Sequence, residues 1–178
     1  MVKIPCRPVT STSDGRPRIV DAPSAAQARD TIRVHVAGAN PFESTFWIDN
    51  RKIDTTDVSI DAATLTLPAN VGRGPHQLVV RSHDQESIVS IHIVTLTADP
   101  LGTTQPGVVQ TVTVHVGGLD AIDTATMYFK TADPAKFVSD KPIESAPVID
   151  GVATTQIVGI HQGPAVIQFK LVVAPRPK

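Results

Sequence analysis

Two stretches of the chain alternate apolar and polar residues in the same phase. In TIRVHVAG (31–38), Ile32, Val34 and Val36 alternate with Thr31, Arg33 and His35. In TVTVHVGG (111–118), Val112, Val114 and Val116 alternate with Thr111, Thr113 and His115. A period of two is the signature of a strand with one face buried and one face wet. Two further blocks recur in order. STFWIDN (44–50) meets ATMYFKT (125–131), setting Trp47 against Tyr128, and RGPHQLVVRS (73–82) meets QGPAVIQFKL (162–171). Side-chain parity is kept in all three pairs, and the offset, 80 (112 minus 32) and 81 (128 minus 47) in the first two, rises to 89 (162 minus 73) in the third. An internal repeat with one loop insertion accounts for that pattern.

The same reading predicts strands near Ile32–Val36, Thr45–Asp49, Ala63–Leu67, Gln77–Arg81 and Ser87–Leu96 in the first copy. In the second it predicts Val108–Val116, Ala125–Lys130, Val152–Val158 and Ala165–Val172. Turn clusters such as GANP, DNRK and GGLD separate them every eight to twelve residues, which favours antiparallel sandwiches over βαβ units. PSAAQARD (23–30) is the one helix-permissive stretch, at most two turns or merely a lead-in to a strand.

Composition agrees with an all-β chain. Of 178 residues 41% are hydrophobic, enough for buried cores, yet only 4% are aromatic, and Val, Ile, Ala and Thr dominate. β-Branched residues suit a pleated, half-buried surface. Fifteen prolines and eleven glycines leave little room for long helices. The net charge of −1 provides no global field to recruit nucleic acid or an anionic membrane. Locally, Lys3, Arg7, Arg16 and Arg18 oppose Asp14 alone within residues 1–20, whereas residues 21–98 are net acidic. That contrast marks the basic arm as a candidate docking segment between subunits.

Cys6 is the only cysteine, so no intrachain disulfide can form. MVKIPCRPVT carries no apolar core of a secretory signal, and no apolar run approaches the roughly 20 residues that span a bilayer. Synthesis in a reducing cytoplasm is the expectation.

The module pattern resembles bacterial and phage immunoglobulin-like, or fibronectin-III-like, domains. The residues that carry the resemblance are the early Val-alternating strand, an aromatic twelve or thirteen positions later (His35 to Trp47, His115 to Tyr128) and the late strand opened by Gly74-Pro75-His76. It implies two tandem sandwiches: residues 21–97 and 98–178, preceded by an extended arm over 1–20. The paired cysteines of antibody-type domains are absent. After its Gly-Pro strand the first copy adds SIVSIHIVTL, whereas only VVAPRPK follows Leu171. Proline cannot donate to a ladder. The second copy is therefore expected to lack its last strand or to borrow one, with a neighbour's VKIPCRPV arm as the donor.

Chemistry is sparse. His35, His92 and His115 alternate with apolar neighbours and are expected on outer faces, and no HxH, HxxxH or Cys-His pairing suggests a metal. Asp49, Asp54, Asp57 and Asp61 cluster near a loop, but it has no glycine and holds Arg51 and Lys52, so calcium is disfavoured. Ser82-His83-Asp84 is contiguous and cannot fold into a triad. No nucleophile elbow, Walker A loop or dinucleotide fingerprint occurs. Trp47 and Tyr128 are expected in the cores. Phe137 and Ile143, in the longer loop of the second copy, are candidate contact residues alongside Lys3, Arg7, Arg16 and Arg18; the alternative for that stretch is an inserted edge strand packing on its own sheet.

These observations predict a non-enzymatic protein with no cofactor and no metal. The resemblance implies a structural virion component of a tailed phage: a capsid decoration, tail or fibre-base subunit made in the host cytoplasm. Its partners would be other virion proteins or copies of itself, with no nucleic acid and no membrane. The alternative is a module at the bacterial surface, or exported, that binds a glycan or protein receptor.

Overall fold

The computed structural model describes residues 16–175. Lys3 and Arg7 of the expected arm lie outside the described residues. The first strands in chain order are β1 (Arg18–Asp21), β2 (Ala25–Ala26), β3 (Thr31–Ala37), β4 (Thr45–Ile48), β5 (Arg51–Ile53), β6 (Thr55–Val58), β7 (Ala62–Thr66), β8 (Gly74–Ser82) and β9 (Gln85–Ile93). They are followed by β10 (Thr95–Ala98), β11 (Val109–Gly117), β12 (Ala125–Thr131), β13 (Ala135–Phe137), β14 (Ile143–Pro147), β15 (Val152–Gly159) and β16 (Ile167–Val173). The helix-permissive stretch 23–30 holds β2, so it serves as strand and turn.

Two sandwiches result, and the fold is that of two tandem immunoglobulin-like antiparallel β-sandwiches. In the first, β1-β3-β7-β6 faces β2-β9-β8-β4-β5; in the second, β10-β11-β15-β13 faces β14-β12-β16. The first sheet of each pair repeats the strand order of an immunoglobulin ABED sheet. Alternation places Ile32, Val34 and Val36 in one core with Phe46, Ile48, Leu65, Leu78 and Val80. Val112, Val114 and Val116 join Met127, Phe129, Phe137, Ile157 and Leu171 in the other. Each such side chain, fully buried, stabilises its module by about 1.5–3 kcal/mol relative to exposure.

Several expectations change. Arg18 is not part of a free arm, because β1 pairs with β3 through Arg18 and Ala37. The boundary expected at 97/98 falls inside β10, which pairs with β11 from Thr95↔Gly117 to Ala98↔Val114. The run SIVSIHIVTL is thus the last strand of one module and the first of the next, divided at Val94.

Trp47 and Tyr128 are not core residues. In β4 it is Phe46 and Ile48 that point inward, and in β12 it is Met127 and Phe129. Trp47 lies half-buried on the outer face, where the Arg81 guanidinium sits 4.7 Å over its ring and Nε1 donates to Thr45 Oγ1 at 3.0 Å. Tyr128 is exposed. A strand holds apolar residues on both parities here, and the aromatic with a polar tip takes the wet one. Phe137, expected in a contact loop, is 1% exposed and pairs with Ile157 in β13.

His92, expected on an outer face, also lies inside. Ile91, His92 and Ile93 are all buried, because the second module closes over the end of β9. The His92 ring meets the Asp123 carboxylate at 3.1 Å, and both side chains are nearly inaccessible. The Nε2 atom lacks an aligned hydrogen-bond partner, so the contact is electrostatic rather than a linear hydrogen bond. Around it the joint is stitched by Val94 N to Ala26 O at 2.9 Å, Leu96 N to Gln27 Oε1 at 3.2 Å and Val173 N to Ser24 Oγ at 3.0 Å.

Candidate functional site

At the end of the second module away from this joint, three loops surround a cleft of about 480 Å³. The loop from β10 to β11 brings Thr103, Thr104 and Gln105, β11 adds Gln110, and the loop from β15 to β16 brings His161 and Gln162. Pro134, Ala135 and Ile157 form the apolar floor. Loops at one end of a sandwich are held by rigid strands while remaining free to vary, which suits them to recognition.

Each wall is fixed by its own hydrogen bonds. Gln110 Nε2 donates to Gly102 O at 2.9 Å, and Gly107 N donates to Gly159 O at 2.9 Å, which ties the first loop to β15. Ile160 N donates to Pro134 O at 2.7 Å. The His161 ring meets Asp133 Oδ2 at 2.8 Å through Nε2, so the carboxylate sets its orientation. No Asp, Glu, Lys or Arg lines the cleft. Its walls offer amides, hydroxyls and one imidazole, which can donate to and accept from neutral polar groups.

The sequence candidates do not assemble into a site. Arg16 and Arg18 are exposed at the hairpin end of the first module, beside Glu86 and Ser87. Ile143, 52% exposed, lies on β14 in the other module. The four aspartates expected to cluster near one loop, Asp49, Asp54, Asp57 and Asp61, hold no common site. Asp49 accepts from Gln77 N at 3.0 Å and meets His76 Nδ1 at 2.7 Å. Asp61 instead faces His35 at 3.6 Å and Ser59 at 3.2 Å. Among the described residues no group of three His, Cys, Asp or Glu is placed to hold a metal ion. His35 and His115 do lie on outer faces, each beside an aspartate, and Ser82 Oγ lies 3.3 Å from the adjacent His83.

One shifted group reports on this wiring. Burial alone would raise the Asp49 carboxyl, but the Gln77 amide, together with the hydrogen bond and charge of His76, holds it below the usual carboxylate value. The other nitrogen of His76 faces Gly72 O at 2.9 Å. Both ring nitrogens therefore face oxygen atoms, which fixes the orientation of the ring.

The cleft was not visible in the sequence. Its residues belong to three loops more than 20 positions apart and share no fixed spacing. The nearest signal is the run of Thr, Gln, Gly and Pro over 102–107, repeated in HQGPA at 161–165.

No protein-family model matches the chain, and no curated protein does. Solved structures similar in shape include SGBP-B from a complex xyloglucan utilization locus of Bacteroides uniformis, with TM-score 0.49 and 12% identity over 88% of this chain and 72% of that one. SGBP-B of the Bacteroides ovatus mixed-linkage glucan utilization locus, bound to a mixed-linkage heptasaccharide, gives 0.41 and 10% identity over 85% of this chain. The present chain spans 52% of that protein's length. The I67–I69 I-band fragment of titin gives 0.27 and 15%, over 90% of this chain and 63% of the fragment. Likenesses of this size assign no ligand, activity or location, and they lend the virion reading no support.

Proposed function

We propose that this protein is a non-enzymatic binding module whose ligand site is the distal cleft of the second sandwich. Its ligand is a neutral, polyhydroxylated molecule such as a stretch of glycan. This is the receptor- or glycan-binding reading of a bacterial surface or exported module, in preference to the virion subunit. The observation that carries it is a cleft of about 480 Å³ bounded by uncharged hydrogen-bonding side chains over an apolar floor. Charged ligands would find no counter-charge in such walls, whereas sugar hydroxyls can both donate and accept there. The cleft has no aromatic platform, so hydrogen bonds rather than stacking supply the affinity, and binding is weak.

The test is titration of the full chain with neutral gluco-oligosaccharides, followed by amide NMR and calorimetry, with uronic-acid oligosaccharides as the charged control. Neutral ligands should shift the signals of Gln105, Gln110 and Gln162. Gln162→Ala and His161→Ala should each weaken binding about two- to tenfold, the worth of one hydrogen bond at about 0.5–1.5 kcal/mol. Binding untouched by either substitution, or shifts confined to other surfaces, would remove the cleft from the account.

A further inference from the structure

The second sandwich stops one strand short on one side. In the first module the sheet continues from β8 to β9, but in the second it ends at β16, the counterpart of β8. Among the described residues no strand pairs with the outer edge of β16. Ladder parity identifies the groups left there. Ala174 N donates to Thr124 O, so even-numbered residues turn toward β12 and Ile167, Phe169, Leu171 and Val173 turn outward. Val173 N meets Ser24 Oγ at 3.0 Å; of the other three, Phe169 and Leu171 line a groove. Their side chains lie on the core face, yet Ile167 and Phe169 are only half-buried. The groove consists of two hollows, about 220 and 680 Å³, that share Ala25, Ala26, Asp30, Lys170 and Leu171.

We propose that this edge is completed by residues 2–7 of a second copy of the chain, added antiparallel to β16. In Val2-Lys3-Ile4-Pro5-Cys6-Arg7, apolar residues alternate with Lys3, Pro5 and Arg7. Three apolar positions match the three outward-turned positions Leu171, Phe169 and Ile167. Pro5 fixes the direction. In an antiparallel pair the residues that bond the edge also share its face, so Val2, Ile4 and Cys6 would bond β16 and cover its core side chains. The missing N–H of Pro5 then points to solvent, where an edge strand tolerates proline. In a parallel pair the same burial would require Pro5 to donate to the ladder, which it cannot. The charged groups on the groove walls, Asp21 and Asp30 against Arg33 and Lys170, balance in sign, so apolar register decides.

Direction also selects a second copy over the chain's own arm. Antiparallel docking leaves Arg7 beyond Ile167, at the end of β16 away from the joint. Arg16 lies near Ser87 at the far end of β9. With the two strands laid end to end, the return along β16 from Ile167 to Val173 and along β9 from His92 to Ser87 is about 36 Å at 3.3 Å per residue. The nine steps from Arg7 to Arg16 reach about 30–32 Å fully extended. An arm passed from copy to copy is a head-to-tail contact, which builds rings or filaments.

Native mass spectrometry and sedimentation of the full chain should find an assembly that Ile4→Asp disperses to monomer. A peptide of residues 1–10 added to the I4D chain should then slow hydrogen exchange at the Phe169 and Leu171 amides. An assembly that persists in I4D overturns the proposal, and so does a full chain that is monomeric throughout. Ile167→Cys tests the register, because an edge-bonded antiparallel pair places Cα atoms about 5.5 Å apart, within disulfide reach. Oxidation with Cys6 should link different chains. An exclusively intrachain disulfide would place the arm on its own module and reject the second copy.

Discussion

All six histidines have a polar neighbour, five of them an aspartate, and environment alone separates their roles. His115 and Asp99 meet on the surface, where such a pair is worth little. His92 and Asp123 meet out of reach of water. His92→Ala would leave the Asp123 carboxylate buried with one polar neighbour fewer, a loss of roughly 1–3 kcal/mol. Chemical denaturation of H92A should register it, and an unchanged midpoint would mean that the pair contributes nothing to the joint. The Asp49 carboxyl, by contrast, predicts a pH dependence. Its folded value is depressed, so its contribution is present above the unfolded carboxylate range and is lost as pH falls through the folded value. Asp49→Asn should lower the melting temperature near pH 7, and the deficit should shrink toward zero in strong acid. A deficit that is constant across pH would assign the effect to something other than ionisation.

At the scale of strands, alternation predicted existence and order well and inward-facing residues only in part. The valine strands β3 and β11 have one apolar parity, so their faces follow from the sequence. In β4 and β12 both parities carry large side chains, and the sheet alone chooses between Phe46 and Trp47, or between Phe129 and Tyr128. Phe129→Ala should therefore destabilise the second module by about 3–5 kcal/mol, while Tyr128→Ala stays within about 1 kcal/mol. Thermal melts of the two variants decide it, and comparable losses would contradict the register. Short edge strands such as β5 and β6 were not predicted, and β13 and β14 were foreseen only as an inserted edge strand set against a contact loop, because three to five residues hold too little periodicity to stand apart from loops.

At the scale of the whole molecule, the joint depends on close backbone approach. Gly118 has φ of +97°, and a Cβ there would meet Ile93 O at 2.6 Å. Both the dihedral and the contact exclude a side chain. Gly118→Ala should separate the modules or strain the joint. Small-angle scattering should then report a longer or more flexible particle, with distinct unfolding steps in calorimetry. A particle unchanged in size and in a single transition would show that the joint tolerates the methyl group.

Gly118 is also the second of the two small residues that follow each repeated valine strand, and its counterpart Gly38 has φ of +79°. The sequence by itself determined the all-β class, the tandem repeat and the two valine cores, because each follows from local alternation and turn residues. Only the tertiary structure decided that His92 is buried, that one apolar run divides at Val94 into a strand for each module, and that loops distant in the chain enclose a cleft. Those depend on which surfaces meet, and a meeting of surfaces leaves no period in the chain that forms it.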